Sequence, residues 1–301
     1  MLNPSLWVIG AEGDKEDDTM QTRTEKGGKN SEGPIGTGLV IERRFTTVGE
    51  DPFDQFDWIE MDVEIRNADG SLAHRIDDVR LPSGFSGVAG KVLAQKYLRK
   101  AGVPAILRKV KEKGVPTWLQ RSEPDHETLQ SVDPEKRFIG ESHGRELFRR
   151  LAGTWTYWGW KHGYFEAEAD ARAYFDEMCY LIASQRSAPN SPQWFNTGLH
   201  WAYGIEGPAQ GHRYIDPSTG ELMTSTNAYE HPQPHACFIQ SVSDSLVGGT
   251  DSIMGLWNRE ALLFKYGSGT GSNFSNIRGS GEPLSGGGTS SGLISFLSLI
   301  H

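Results

Sequence analysis

The sequence predicts a protein of the α/β class, in which an N-terminal α+β region and a helical hairpin precede a strand–helix–glycine unit. Three observations support this class. Hydrophobic and polar residues alternate on either side of Asn67–Gly70, and apolar residues recur with a helical period from position 147 to position 182. Ala236–Val242 is a short apolar run that another helical pattern follows.

Length, charge and cysteine content limit the kinds of protein that this sequence can encode. The 301 residues suffice for one large or two ordinary domains with a hydrophobic core. The formal net charge of −9 argues against nonspecific nucleic-acid binding and against an anionic membrane partner. Neither a membrane span nor a secretory signal is expected, because the N-terminus is polar and no long apolar run occurs. With Cys179 and Cys237 far apart, no disulfide framework is expected, which indicates a cytoplasmic setting.

The first part of the chain predicts a leader and a small β unit. Residues 1–38 are rich in charged residues, Gly and Ser and show no apolar period, so we expect a flexible leader. Residues 39–140 are expected to form the α+β region. Its clearest element is a hairpin between Trp58 and Leu81, because the Asp69–Gly70 pair suits a tight turn.

Two amphipathic helices are expected within residues 141–198. The apolar face of the first contains Leu147, Phe148, Leu151, Trp155 and Trp158, and that of the second contains Ala171, Tyr174, Phe175, Met178, Leu181 and Ile182. Gly163 provides the turn of a helical hairpin between them. Cys179 lies at the edge of the second apolar face, which predicts a role in packing and not in chemistry.

The segment Ser187–Gly198 leaves the second helix through two prolines and presents small polar residues. We expect a loop whose backbone N–H groups and Ser191 hydroxyl are available to an anion. A capped turn held by Trp194 and Phe195 is an equally good interpretation of these residues alone. The aromatic, glycine-rich residues His200–Pro234 predict an irregular surface segment.

A strand, a helix and a glycine loop are expected in the next stretch. Ala236–Val242 predicts a largely buried strand with Cys237 at its start. Thr250 or Asp251 can N-cap a helix of about four turns that ends at Gly267. The expected apolar face of this helix contains Ile253, Leu256, Trp257, Ala261 and Phe264.

Alternating glycines at 267, 269 and 271 predict a loop whose backbone can approach a ligand closely, on the same patch as Cys237. A metal site is not expected, because His231, His235 and Cys237 lack the further cluster that zinc requires. The phosphate-loop and dinucleotide-binding glycine motifs are also missing from the sequence, which argues against a conventional NTPase or nicotinamide-dinucleotide domain.

Five ordered blocks resemble the adenosylcobalamin-dependent, class II ribonucleotide reductases. They are NSPQWFNTG (190–198), ACF (236–238), SDSL (243–246), KYGSGTGSNFSNIRG (265–279) and GGTSSG (287–292). A weaker similarity extends upstream to about Phe45. The blocks are specific for the reductase superfamily and somewhat less specific for the cobalamin class.

The resemblance implies that residues 199–301 begin a ten-stranded α/β catalytic barrel and include elements of an effector site. It implies reduction of ribonucleoside diphosphates with adenosylcobalamin, whose cobalt–carbon bond breaks homolytically to start the radical chemistry. The cofactor-binding residues are mostly expected outside this chain. Cys237 matches the first of two reducing cysteines, which a thioredoxin-like dithiol would regenerate by thiol–disulfide exchange. Without the flanking blocks, a small buried strand residue would be the better interpretation of Cys237.

The resemblance also assigns binding residues. Ser191, Ala236, Cys237 and Gly269 match the substrate-binding set, and Asp244, Ser245, Leu246 and Arg278 match residues that hold a deoxynucleotide effector. Asp244 can accept a hydrogen bond from a ribose hydroxyl, and Arg278 can hold a phosphate. Taken alone, Asp244 fits a helix N-terminal turn and Arg278 a solvent-facing charge. Gly281–Gly292 is expected to form a mobile effector loop.

One departure from the family pattern concerns cysteine. None follows Cys237, so the thiyl-forming cysteine and the second reducing cysteine are not in this sequence. We therefore expect this chain to be the N-terminal portion of a class II reductase and to be inactive alone. Whether it has a C-terminal partner chain, and whether it forms a homodimer, are left open. The alternatives are a fragment of a class I large subunit and a non-catalytic deoxynucleotide-binding module.

Overall fold

The computed structural model describes residues 38–297 apart from positions 86, 210, 212, 217, 218 and 266. The flexible leader predicted for residues 1–38 lies outside the described residues, except for Gly38. The described chain forms two compact units, one that ends at Pro234 and one that begins at His235.

The first unit mixes short strands with helices. Its strands are β1 (Trp58–Arg66), β2 (Leu72–Pro82), β3 (Val103–Pro104), β4 (Leu107–Lys109), β5 (Ser122–Pro124), β6 (Phe138–Ile139), β7 (Arg213–Ile215) and β8 (Leu222–Thr224). Its helices are α1 (Gly87–Lys96), α2 (His126–Leu129), α3 (Gly144–Lys161), α4 (Glu168–Ala183), α5 (Ser191–Asn196) and α6 (Leu199–Tyr203). Antiparallel pairing joins β1 with β2, β3 with β6, β4 with β5 and β7 with β8.

The predicted hairpin is confirmed. Strand β1 pairs with β2 in a register that sets Trp58 opposite Pro82. In the turn, the Gly70 N–H donates to the Asn67 carbonyl at 2.9 Å, and Gly70 adopts a φ of +85°, which a glycine accepts at little cost. Val63 and Leu81 are fully buried, so one face of the hairpin contributes to the main core.

The predicted helical hairpin is also confirmed. Helix α3 begins with a capping box in which the His143 side chain accepts from the backbone and Glu146 reaches back to the cap residue. Gly163 supplies the turn with a φ of +66°. Helices α3 and α4 bury Leu147, Phe148 and other residues of the predicted faces in one core with the β1–β2 hairpin.

Residues 199–234 contain more regular structure than the sequence predicts. Helix α6 lies between Gly198 and Gly204, both at positive φ, and the β7–β8 hairpin follows. The prediction of an irregular segment is therefore wrong for these elements, whose strands are only three residues long and show no clear alternation.

The second unit is a strand–helix–strand unit. It consists of β9 (Cys237–Ser241), α7 (Ile253–Lys265), β10 (Gly269–Asn273) and the short α8 (Leu293–Leu297). Strand β9 pairs in parallel with β10, as a helical crossover between two strands allows. Val242, Ile253 and Leu256 form its small core, on which Phe274 and Ile277 pack.

Two expectations for this unit are wrong. Strand β9 is not largely buried, since its residues alternate between exposed and half-buried and Ile239 is 92% exposed. The reason is that, among the described residues, β9 pairs only with β10. The prediction of a glycine loop is also wrong from Gly269 onward, because Gly269–Asn273 form strand β10. Of the three glycines at 267, 269 and 271, only Gly267 has a positive φ.

The N-cap and the buried face of α7 also differ from the prediction. Its cap is Ser252, whose hydroxyl accepts from the Gly255 N–H at 3.1 Å, and not Thr250 or Asp251. The buried face contains Ile253, Leu256 and Leu263, whereas Ala261 and Phe264 are exposed. The predicted stop at Gly267 is confirmed, since the N–H groups of residues 267 and 268 close a Schellman motif on the carbonyls of 264 and 263. In the described part of the chain, no helix is long and apolar enough to cross a membrane.

Candidate functional site

The start of β9 places Cys237 beside the backbone of Gly269. These two residues are direct partners in the parallel register, and the Gly269 N–H donates to the Ala236 carbonyl at 2.5 Å. A Cβ added at Gly269 would lie 3.5 Å from the Cys237 Sγ atom. The structure thus brings together Ala236, Cys237 and Gly269, and the cysteine is exposed.

Helix α7 covers only one face of this two-stranded sheet. On that face Arg259 donates to the Gln240 side chain at 2.8 Å, and the Ser272 hydroxyl donates to Glu260 at 2.8 Å. Side chains alternate along a strand, so Cys237 lies on the opposite face. The register partners of Cys237 and Ile239 are glycines, so β10 places no side chain directly beside these two residues. A thiol on an open, glycine-flanked surface can be reached by a substrate or by a second thiol.

The structure places Asp244 and Arg278 in direct contact, although 34 residues separate them. The Arg278 Nε donates to Asp244 Oδ2 at 2.5 Å, and the Arg278 backbone N–H donates to Oδ1 at 3.2 Å. Both side chains keep more than a quarter of their surface exposed. The pair therefore presents a carboxylate and a guanidinium side by side, a combination that can bind a hydroxyl and a phosphate.

Hydrogen bonding from Arg278 lowers the pKa of the Asp244 carboxyl. The carboxylate thus stays charged to lower pH than an unpaired aspartate. Taken alone, the sequence suggested a helix N-terminal turn for Asp244 and a solvent-facing charge for Arg278, and the ion pair replaces both interpretations.

Ser245 and Leu246 connect the same segment to helix α7. Their carbonyls accept from the N–H groups of Ile253 and Met254, at 2.9 and 3.1 Å. The side chain of Leu246 is 47% exposed. On the other side of the ion pair, Arg278 Nη1 donates to the Pro283 carbonyl at 3.0 Å, so the predicted effector loop 281–292 is joined to Asp244 through one guanidinium.

In the first unit, the segment predicted as a loop around Ser191 is mostly helical. Ser191 is the first residue of α5, and the Asn190 side chain caps the helix by accepting from the Gln193 N–H at 3.3 Å. Proline at the second helical position favours this start, because its fixed φ suits the first turn of a helix. The Ser191 hydroxyl lies 3.2 Å from the Tyr97 hydroxyl.

A buried ion pair lies next to this segment. Arg150 Nε donates to Glu141 Oε1 at 2.7 Å, and both side chains are fully buried. The Tyr203 hydroxyl donates to the same carboxylate oxygen at 2.7 Å. Burial, together with the nearby Glu141 carboxylate, raises the pKa of Tyr203 well above its ordinary value.

The sequence-based prediction of the site does not include Tyr97, Glu141 or Arg150. One signal was available for Arg150, which lies between Leu147 and Leu151 on the apolar face of α3, where a charge requires a buried partner. No comparable signal identifies Glu141 or Tyr97, because their neighbours come from distant parts of the chain.

Cys179 lies in the main core and is fully buried, as the sequence predicts. Burial raises the pKa of its thiol well above the ordinary value, which disfavours the reactive thiolate. Within the described ranges, no three His, Cys, Asp or Glu side chains converge on a point that could hold a metal ion. His231 stacks on Tyr214 with ring centroids 3.6 Å apart.

Two family models match the chain. Residues 60–185 match the model described as class II vitamin B12-dependent ribonucleotide reductase, and residues 235–301 match the model described as ribonucleotide reductase, barrel domain. The second match coincides with the strand–helix–strand unit. The mixed α/β structure with its open two-stranded sheet agrees with the start of an incomplete barrel, so the predicted fold class is confirmed.

Curated relatives give the same result. The vitamin B12-dependent ribonucleotide reductases of Bradyrhizobium diazoefficiens and Agrobacterium fabrum are each 60% identical over 261 residues, which is 87% of this chain. That of Rhodopirellula baltica is 33% identical over 86% of this chain. The aligned part is 21%, 20% and 22% of these relatives, so the chain spans about a fifth of their length.

Proposed function

Because the chain belongs to the class II vitamin B12-dependent ribonucleotide reductases, we propose that it acts as the N-terminal part of an enzyme that reduces ribonucleoside diphosphates. The products would be deoxyribonucleoside diphosphates, the cofactor adenosylcobalamin and the location the cytoplasm. The observation that supports this most is the exposed Cys237 beside the Gly269 backbone. The class I alternative is not favoured, since the model that matches residues 60–185 is that of class II.

Cys237 would supply one of the two electrons that replace the 2′-hydroxyl by hydrogen. In the overall reaction the hydroxyl leaves as water and two thiols become a disulfide, so atoms and electrons balance with two cysteines. Cys179 does not qualify as the second, because it is buried within the core of its unit. The second reducing thiol and the thiyl-forming cysteine would therefore come from residues beyond this sequence, and an external dithiol of the thioredoxin type would reduce the disulfide.

The described residues do not themselves identify a cobalamin site. They contain no convergent group of metal-ligating side chains. We place the cofactor on residues outside those described, and no step assigned to this chain depends on its geometry.

We propose substrate contacts for each unit by itself. The Ser191 hydroxyl at the start of α5 would donate to a phosphate oxygen, and the backbone at Ala236 and Gly269 would contact the nucleotide next to the Cys237 thiol. In β10 the absence of a side chain at Gly269 supports this, because the backbone stays accessible beside the sulfur.

The Asp244–Arg278 pair would hold a deoxynucleotide effector. Asp244 would accept from the 3′-hydroxyl and Arg278 would bind phosphate, while Ser245 and Leu246 line the site from the α7 side. Since Arg278 also donates to the Pro283 carbonyl, a change in the position of Arg278 on effector binding would be transmitted to loop 281–292. A homodimer is the proposed setting for such regulation.

The proposal is tested in a chimera in which this chain replaces the matching segment of the Bradyrhizobium diazoefficiens reductase. With cobalamin cofactor, a ribonucleoside diphosphate and a dithiol, we expect deoxynucleotide formation over many turnovers. Cys237→Ser should abolish it, whereas Cys179→Ser, at a buried thiol, should retain it. Sustained turnover by the Cys237→Ser chimera would refute the assignment, and equal use of di- and triphosphates would refute the diphosphate preference.

Effector binding has its own test in the isolated chain. Calorimetric titration with deoxynucleoside triphosphates should show saturable binding that Asp244→Ala removes. Asp77→Ala, which changes an exposed aspartate of β2, is the matched control and should bind normally. Equal binding by both variants would exclude the Asp244–Arg278 pair as the site.

A further inference from the structure

Tyr97 is the side chain that contacts the Ser191 hydroxyl. The two hydroxyl oxygens lie 3.2 Å apart, and the tyrosine ring packs on both aromatic residues of α5. Its centroid is 5.4 Å from that of Trp194 and 5.3 Å from that of Phe195. The ring is thus fixed by stacking, and its hydroxyl is directed at the first residue of the helix.

A single guanidinium fixes both partners of this contact. Arg150 Nη2 donates to the Tyr97 carbonyl at 3.2 Å and to the Trp194 carbonyl at 3.0 Å. Its Nη1 donates to the Thr197 carbonyl at 2.7 Å. The last carbonyls of α5 and the backbone of Tyr97 are therefore held by one planar group, whose fork leaves little freedom in their relative position.

Glu141 holds the guanidinium in turn. Its carboxylate accepts from Arg150 and Tyr203, and its Oε2 also accepts from the Arg99 N–H at 2.8 Å. Because Arg150 and Glu141 are fully buried, moving either group would leave an unpaired charge in the core. The network is consequently a rigid support for α5.

We propose that Tyr97 is a positioning residue for the substrate-binding serine, held in register by the Arg150–Glu141 pair. A phenol is a better hydrogen-bond donor than an aliphatic hydroxyl, so Tyr97 donates to Ser191 Oγ. The serine proton is then directed away from Tyr97 and is available to an anionic group, such as a phosphate oxygen of the substrate. This inference rests on the proposed function, in which Ser191 contacts the substrate.

The test is a double-mutant cycle in the chimeric reductase with Tyr97→Phe and Ser191→Ala. Phenylalanine keeps the stacking on Trp194 and removes only the hydroxyl. If the hydrogen bond stabilises the bound substrate and the transition state equally, its loss raises KM and leaves kcat unchanged. The expected rise in KM for Tyr97→Phe is about 3- to 10-fold. In the Ser191→Ala background, the same change should raise KM by less than about 2-fold.

Tyr157→Phe is the matched control, because the hydroxyl of Tyr157 donates to Glu112 at 2.7 Å and not to the α5 segment. It should leave KM unchanged. If Ser191→Ala raises KM but Tyr97→Phe does not, or if their effects multiply, the positioning role is wrong while the proposed function stands. If Ser191→Ala leaves KM unchanged, the substrate role of Ser191 fails and the inference fails with it.

Discussion

Removing the buried guanidinium should be among the most destabilising single changes in the first unit. In Arg150→Met an unbranched apolar side chain remains but the guanidinium is removed, so the fully buried Glu141 carboxylate loses its counter-charge. The carbonyls of Tyr97, Trp194 and Thr197 also lose their donors. Breaking a buried ion pair on one side costs about 3–5 kcal/mol, and we expect the upper part of this range because three carbonyls are affected as well.

Urea unfolding followed by tryptophan fluorescence measures this cost, because Trp194 lies against the network. With a slope of about 2 kcal/mol per molar urea, a loss of about 4 kcal/mol lowers the midpoint by about 2 M. Arg108→Met is the matched control, since Arg108 pairs with Glu123 at the surface and is 63% exposed. An exposed ion pair contributes about 0–1 kcal/mol, so its midpoint should move by less than about 0.5 M.

The double variant Arg150→Met with Glu141→Leu sharpens the test. Replacing both members of a buried pair removes the uncompensated charge, so the double variant should be more stable than Arg150→Met alone. If Arg150→Met and Arg108→Met unfold at the same urea concentration, the buried pair does not stabilise this unit as argued.

Three further predictions concern other parts of the chain. In the native chain, iodoacetamide should modify Cys237 and spare Cys179 until urea is added; mass spectrometry showing equal labelling of both would contradict the assigned burial. Gly198→Ala should lower the free energy of unfolding by more than Gly49→Ala does. Both glycines have a positive φ, but a Cβ at position 198 would lie 2.4 Å from a backbone oxygen of α3, whereas a Cβ at position 49 would have no atom within 4 Å. Equal urea midpoints would refute that clash. Burial and nearby arginines lower the pKa of His143, whose neutral ring caps α3. Because the pKa of His143 is lower in the folded than in the unfolded protein, the stabilisation by its neutral ring is fully present above the unfolded-state pKa. This stabilisation is lost as the pH falls through the folded-state pKa. Acidification from pH 7 should therefore destabilise the wild type more than His143→Asn, whose side chain caps the helix at every pH.

Local patterns predicted the two long hairpins of the first unit but not its short elements, such as α5, α6 and the β7–β8 pair. The β1–β2 hairpin follows from alternation and an Asp–Gly turn, and the α3–α4 pair follows from two long apolar stripes, signals that need no knowledge of distant residues. The second unit was less predictable. Gly269–Asn273 has no side-chain pattern of a strand, because its pairing with β9 is set by backbone contacts across a helical crossover.

The candidate site shows the same division. The motif blocks identified Cys237, Gly269, Asp244 and Arg278, and the structure places the first two together and the last two together. Their roles in binding stay predictions. The support behind Ser191 could be predicted only in part. The position of Arg150 on an apolar face predicts a buried partner, but no pattern in the sequence identifies Glu141 or Tyr97.

The central claim, that Cys237 is a reducing thiol, is tested most directly by mapping disulfides in the chimera after one round of reaction without dithiol. We expect Cys237 in a disulfide with a cysteine from outside this chain, in an amount that equals the deoxynucleotide formed. Deoxynucleotide formation with Cys237 still a free thiol would contradict the account.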